Sequence, residues 1–184
     1  SLTGLAGNVT DIDGNVYQTI GIGSQIWMAE NLKTTKYNDA TTIPNVVDSA
    51  SWSVLLKPGY CWYNNDKNTY AHNGALYNWY TIETGNLCPD GWHEPSKDDW
   101  QQLIDYVADD LDGASSVNYA LKATSGWDDG QDYSENGSNS YGFNANPVFW
   151  RSNEAEFWPI DELPADNFWW SSTESMDEWG FFGP

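Results

Sequence analysis

The chain has 184 residues, with 27 acidic against 7 basic side chains and a formal charge of -20. That length suits one domain with a sizeable core, and that charge repels nucleic acid and anionic membranes, whose binding needs clustered Lys and Arg. Aromatic residues make up 16% of the chain, including 12 Trp, a composition that excludes disorder.

The first forty residues read as strands. Residues 9–12 and 16–20 flank Asp13-Gly14-Asn15, a hairpin turn in which Gly14 takes positive φ without strain. Asp11, Asp13 and Asn15 imitate the opening of a calcium loop, but Ile22 stands where the twelfth position needs a bidentate Glu. The segment is therefore read as a turn. A second turn over 21–24 leads into a strand over 25–28.

From 37 to 73 the chain is mostly loop, interrupted by the apolar patch Tyr60-Cys61-Trp62-Tyr63. The pattern then predicts a helix over 74–82, with Leu76, Trp79 and Tyr80 on one face. A second helix starts at Ser96, where Asp99 completes a capping box and Pro95 sharpens the boundary. Its apolar positions Trp100, Leu103, Ile104 and Val107 follow the i, i+3, i+4, i+7 rule. Beyond Asp109 only residues 117–122 read as a short helix. The half from 126 to 184 is Gly-, Asn- and Ser-rich, a set of long loops pinned by aromatic side chains.

No run of about 18 apolar residues exists, so membrane insertion is not expected. The chain opens at Ser1 without a Met or a charged-then-apolar leader, and is expected to be a processed product. Cys61 and Cys88 are read as one disulfide, worth on the order of 3 kcal/mol, against the alternative of two buried thiols. The secreted-looking composition favours the disulfide. Zinc is not expected, because His72 and His93 are the two histidines and no CxxC spacing occurs.

Several blocks occur in a distinctive order: TDIDGNVYQTIGIGSQIWMAENLKTTKYNDAT, YCWYNND, GALYNWY, LCPDGWHEPSKDDW and FWWSSTE. In these the chain resembles the Fibrobacter succinogenes major paralogous domain, from about residue 9 to residue 174. That family is similar in turn to C-type-lectin-like domains and to the formylglycine-generating-enzyme fold. The resemblance implies a single α+β, C-type-lectin-like domain over 1–184, with two helices packed on small antiparallel sheets and long loops. It also implies secretion or surface display in bacteria of the Fibrobacter and Bacteroidetes type, and it implies no activity.

One departure stands out. Family members continue past WWSST to a phrase like GF-x-VRC, whose Cys is expected to meet the Cys of LCP. Here Gly180-Phe181-Phe182-Gly183-Pro184 follows instead, so Cys88 is left to pair with Cys61 or to stay free. A missing closing strand would leave a sheet edge open to strand donation, with residues 1–8 as an extended donor arm. Trimming, or a differently built end, accounts for the same departure.

Trp27, Trp62, Trp79, Trp92, Trp100 and one of Trp169 or Trp170 are assigned to the core. Trp127, Tyr141, Trp150, Trp158 and Trp179 lie in polar loops, where rings either anchor the loop or stack on sugars. They are the glycan-contact candidates. Glu154, Glu156, Asp161, Glu162 and Asp166 offer hard oxygen ligands for calcium, or form a solvated acidic face. The late cysteine pair of the formylglycine-generating enzymes is absent, and Asp161 and Glu162 are adjacent, which says nothing of a glycosidase separation. The chain is read as non-catalytic. The first expectation is an extracellular structural subunit that assembles with itself on the surface or into fibres. The alternative is a module that binds polysaccharide or a host surface.

Overall fold

The computed structural model describes residues 4–111, 117–127, 136–147, 149–158 and 169–174. Three strands, β1 (Gly4–Thr10), β2 (Val16–Ile22) and β3 (Gln25–Met28), form an antiparallel meander with β2 in the centre. The turn after β1 is built by one carboxylate. Asp11 accepts from the Asp13 and Asn15 backbone N–H groups at 3.0 and 2.9 Å and from the Tyr17 hydroxyl at 2.6 Å. Such side-chain-to-backbone bonding is what Asp does in turns, and the turn reading of this segment holds. Between β2 and β3 only Gly23 and Ser24 intervene. Gly23 sits at φ +62°, and a Cβ there would lie 2.9 Å from the Tyr106 ring. The expected N-terminal arm is corrected by β1: Gly4 to Asn8 already pair with Gly21 to Gln18 of the same chain.

A 14-residue helix, Lys97–Asp110, packs on the meander. Ser96 and Asp99 form the predicted capping box, with the Asp99 carboxylate accepting from the Ser96 N–H at 2.8 Å. The helix buries Trp100, Leu103 and Val107 against Ile20 and Ile22. Each such side chain contributes roughly 1.5–3 kcal/mol by leaving water. Val117–Leu121 is the short helix the pattern predicts, and it adds Val117, Ala120 and Leu121 to the same cluster. The loop carrying Tyr141, Phe143 and Ala145 hangs on that helix through Ala145 N–H to Leu121 O and Ala123 N–H to Ala145 O, at 3.0 and 2.9 Å.

A second cluster gathers Tyr37, Ile43, Tyr60, Trp62, Tyr77, Ile82 and Leu87. It forms around β4 (Tyr60–Cys61) and β5 (Leu76–Tyr77), which pair antiparallel. The helix expected over 74–82 is thus cut to its last turn, Trp79–Ile82, capped by the Asn78 side chain. Gly74 is the cause. It sits at φ +92°, and a Cβ there would lie 2.5 Å from the Asn31 Cβ. A third, smaller cluster joins Trp52, Cys61 and Ala155 beside the hairpin of β6 (Trp150–Arg151) and β7 (Phe157–Trp158). The architecture is a small α+β fold of short antiparallel sheets and helices.

Candidate functional site

The three clusters leave a groove of about 1000 Å³ between them. β3 and the chain to Leu32 line it together with Asn73 to Tyr77, which include β5, and the Ala75 N–H to Leu32 O bond at 2.9 Å joins the two segments. Trp27 and Trp100 lie at 4.8 Å, and Trp100 and Trp169 at 5.8 Å between ring centroids. Trp169 and Trp170 reach the groove from far down the chain, and Trp150 and Arg151 border it from the β6 strand.

Most hydrogen-bond donors of this groove are spent inside the protein. The Trp170 indole donates to Tyr77 O at 2.9 Å, Trp52 to Ser152 O at 3.0 Å, and Trp100 to Trp170 O at 3.3 Å. The Asn31 amide donates to Asn73 O at 2.9 Å and the Gln25 amide to Asp99 O at 3.0 Å. Arg151 is buried, and its guanidinium donates to Val46 O, Val47 O and Ala155 O at 2.8, 3.1 and 3.4 Å. It lies 4.7 Å from both the Trp52 and Phe157 ring centroids. This lone arginine is a structural clamp, tying the hairpin to the loop before Ser49.

Acceptors are less fully used. Three carboxylates line the groove: Glu30, Glu94 and Asp99. Glu30 meets Lys33 at 4.0 Å and Asp99 meets His93 at 3.4 Å. Glu94 is only 7% exposed, and its Oε1 accepts from the Leu87 N–H at 3.2 Å.

Cys61 and Cys88 are both free, so the expected disulfide between them is not formed. Their surroundings differ: Cys61 packs with Trp52 and Ala155, whereas Cys88 faces Glu94. Burial pushes the Cys61 thiol up to about 11, with Arg151 pulling against it. Burial first, then the Glu94 charge, push Cys88 up to about 12. Thiols so shifted stay protonated and inert at neutral pH.

The glycan candidates divide sharply. Trp127 is 1% exposed, donates to Ala145 O at 3.1 Å, and lies under the Lys122 ammonium. Tyr141 is buried and donates its hydroxyl to Asp110 Oδ2. Both are loop anchors, which corrects their reading as sugar contacts. Trp150 and Trp158 are 38% and 40% exposed. They face each other across the β6–β7 hairpin, with ring centroids 6.3 Å apart and planes 22° from parallel. Trp179 lies outside the described residues. Of the calcium candidates, Glu154 and Glu156 are exposed near the tip of that hairpin, and Asp161, Glu162 and Asp166 lie outside the described residues. Among the described residues, no group of three His, Cys, Asp or Glu side chains is placed to hold a metal.

The chain belongs to the Fibrobacter succinogenes major domain family, whose model matches residues 20–181. No curated protein and no solved structure matches it. In this Fibrobacter succinogenes major domain the groove draws on three stretches inside the matched span: GALYNWY supplies β5, GWHEP supplies Glu94, and FWWSS supplies Trp169 and Trp170. Sequence reading assigned one of Trp169 and Trp170 to the core. Trp169 packs on the first cluster, while Trp170 is 40% exposed. Arg151 carried no signal of its own, because its partners Val46 and Val47 come from a remote part of the chain.

Proposed function

We propose that this is a non-catalytic, lectin-like binding module of an extracellular or cell-surface protein, and that it binds polysaccharide along the aromatic groove. The observation that carries the reading is the near-parallel, exposed pair Trp150 and Trp158, of which Trp150 borders that groove. Trp is costly to expose, and a flat indole face offers apolar area to the C–H face of a sugar ring. Groove volume and an aromatic lining with few polar groups are also the usual attributes of a ligand site.

The test is retention in gels containing single polysaccharides, for the parent chain and for Trp150→Ala and Trp158→Ala. Each change is expected to cut retention by about tenfold, the effect of losing roughly 1–2 kcal/mol of ring stacking, with the melting temperature held. Unchanged retention on every polysaccharide that delays the parent would sink the role of this pair.

A second reading is self-assembly into a surface polymer. It is favoured by the outer edge of β3, which pairs with no strand among the described residues and runs along the groove. Within one chain β1 already pairs with β2, so β1 is not a free arm. Calcium would act at the acidic set Glu154, Glu156, Asp161, Glu162 and Asp166.

A further inference from the structure

Glu94 is the odd member of the groove. The residue is only 7% exposed, yet it forms no ion pair among the described residues. Its partners are the Leu87 N–H and the Cys88 thiol, both neutral. Glu30 and Asp99, the other two carboxylates of the lining, each have a cationic or ionisable partner. A carboxylate held away from water without a counter-charge is costly, and buried charges are ordinarily paired. Among the described lining residues, no cation is placed to answer it. Arg151 is committed to backbone carbonyls and to the faces of Trp52 and Phe157, and His93 is committed to Asp99. The chain as a whole, at -20, adds a long-range field of the same sign.

We propose that the groove takes a polysaccharide bearing primary amines, with a ring ammonium seated on Glu94 and sugar faces stacked on the tryptophans. The inference rests on the glycan-binding reading and sharpens it to one ligand class. An ammonium supplies the missing counter-charge, and aromatic walls favour it a second time through their ring quadrupoles. The spent indole and amide donors point the same way, because they leave acceptors for a ligand rich in donors. Anionic chains, such as those of uronic acids, are repelled by the same field.

Calorimetry on the full chain tests this with short β-1,4 glucosamine oligomers, their N-acetylated twins, cello-oligosaccharides and oligolysine. The glucosamine oligomers are expected to bind about tenfold or more tighter than the N-acetylated ones at low salt, the effect of one interfacial charge pair. Glu94→Gln, which keeps an acceptor for the Leu87 N–H, is expected to erase that preference at an unchanged melting temperature. Equal binding of the amine-bearing and N-acetylated oligomers would overturn the inference while leaving the glycan reading intact. Oligolysine binding as tight as glucosamine binding would reduce the effect to bulk charge and overturn it too. No binding of any sugar would remove both readings together. The comparison of ligands stands on the parent chain alone, so a misfolded variant does not protect the proposal.

Discussion

Asp13 fastens the first turn to the segment that follows the meander. Its carboxylate accepts from the Thr35 N–H at 2.6 Å and the Thr35 hydroxyl at 2.7 Å, and meets the Lys36 ammonium at 2.9 Å. Burial alone would raise its pKa, but these partners outweigh burial and hold it down to about 2. A depressed folded pKa gives stability that is complete above the unfolded value of about 3.9 and fades as pH falls toward 2. Urea midpoints are expected to be flat above about pH 5 and to drop through that acid window. Asp13→Asn should lose about 1–3 kcal/mol at neutral pH and flatten the acid limb. An acid limb unchanged in the variant would assign it to other carboxylates. This latch was half legible: Asp-Gly-Asn announces a turn, but nothing in it announces Thr35 and Lys36. The tryptophans teach the same point. Trp127 and Trp158 look alike in sequence, and what separates them is that Ala145 O accepts from one buried indole while the other is 40% exposed among the described residues.

Elements whose determinants are local were the readable ones. Ser96, Asp99 and the apolar spacing after them lie within a few turns, and the helix Lys97–Asp110 follows from them. The segment 74–82 has good helical spacing too, but Gly74 abuts Asn31, and Leu76 and Tyr77 are claimed by β4. Long-range pairing overrode local periodicity there. The same logic bears on the N-terminus. Deleting residues 1–8 removes the pairings of Gly4, Leu5, Gly7 and Asn8 to β2 and uncovers the central strand. The deletion is expected to lower the melting temperature by about 4–8 °C, the shift of roughly 2 kcal/mol in a chain of this size. A donor arm would behave otherwise: the monomer would melt as before and only polymers would vanish. Scanning calorimetry of the two chains separates the cases. The edge that β1 presents is itself poorly suited to recruiting a strand, being bulged between Leu5 and Gly7 with both Gly4 and Gly7 at positive φ.

At the scale of the molecule, charge and shape pull in different directions. An aromatic groove and an unpaired β3 edge invite a second chain, while a formal charge of -20 on each copy opposes its approach. Screening decides between them, because the Debye length falls from about 30 Å at 0.01 M salt to about 3 Å at 1 M. Light scattering is therefore expected to give the mass of one chain at low salt, in calcium and in chelator alike. If copies met through the groove, mass would grow as salt rose, and Trp150→Ala would reduce that growth. If calcium bridged them, polymer would appear at low salt with calcium and collapse on chelation, and the self-assembling reading would displace the binding module. The groove itself was out of reach of sequence reading. Its blocks could be named as a family pattern, but Trp27, Trp100, Trp169 and Glu94 become neighbours of one space only after three separate clusters fold. A single-chain mass that persists at high salt would mean that the groove is kept open for something other than this protein, which is what a binding module requires.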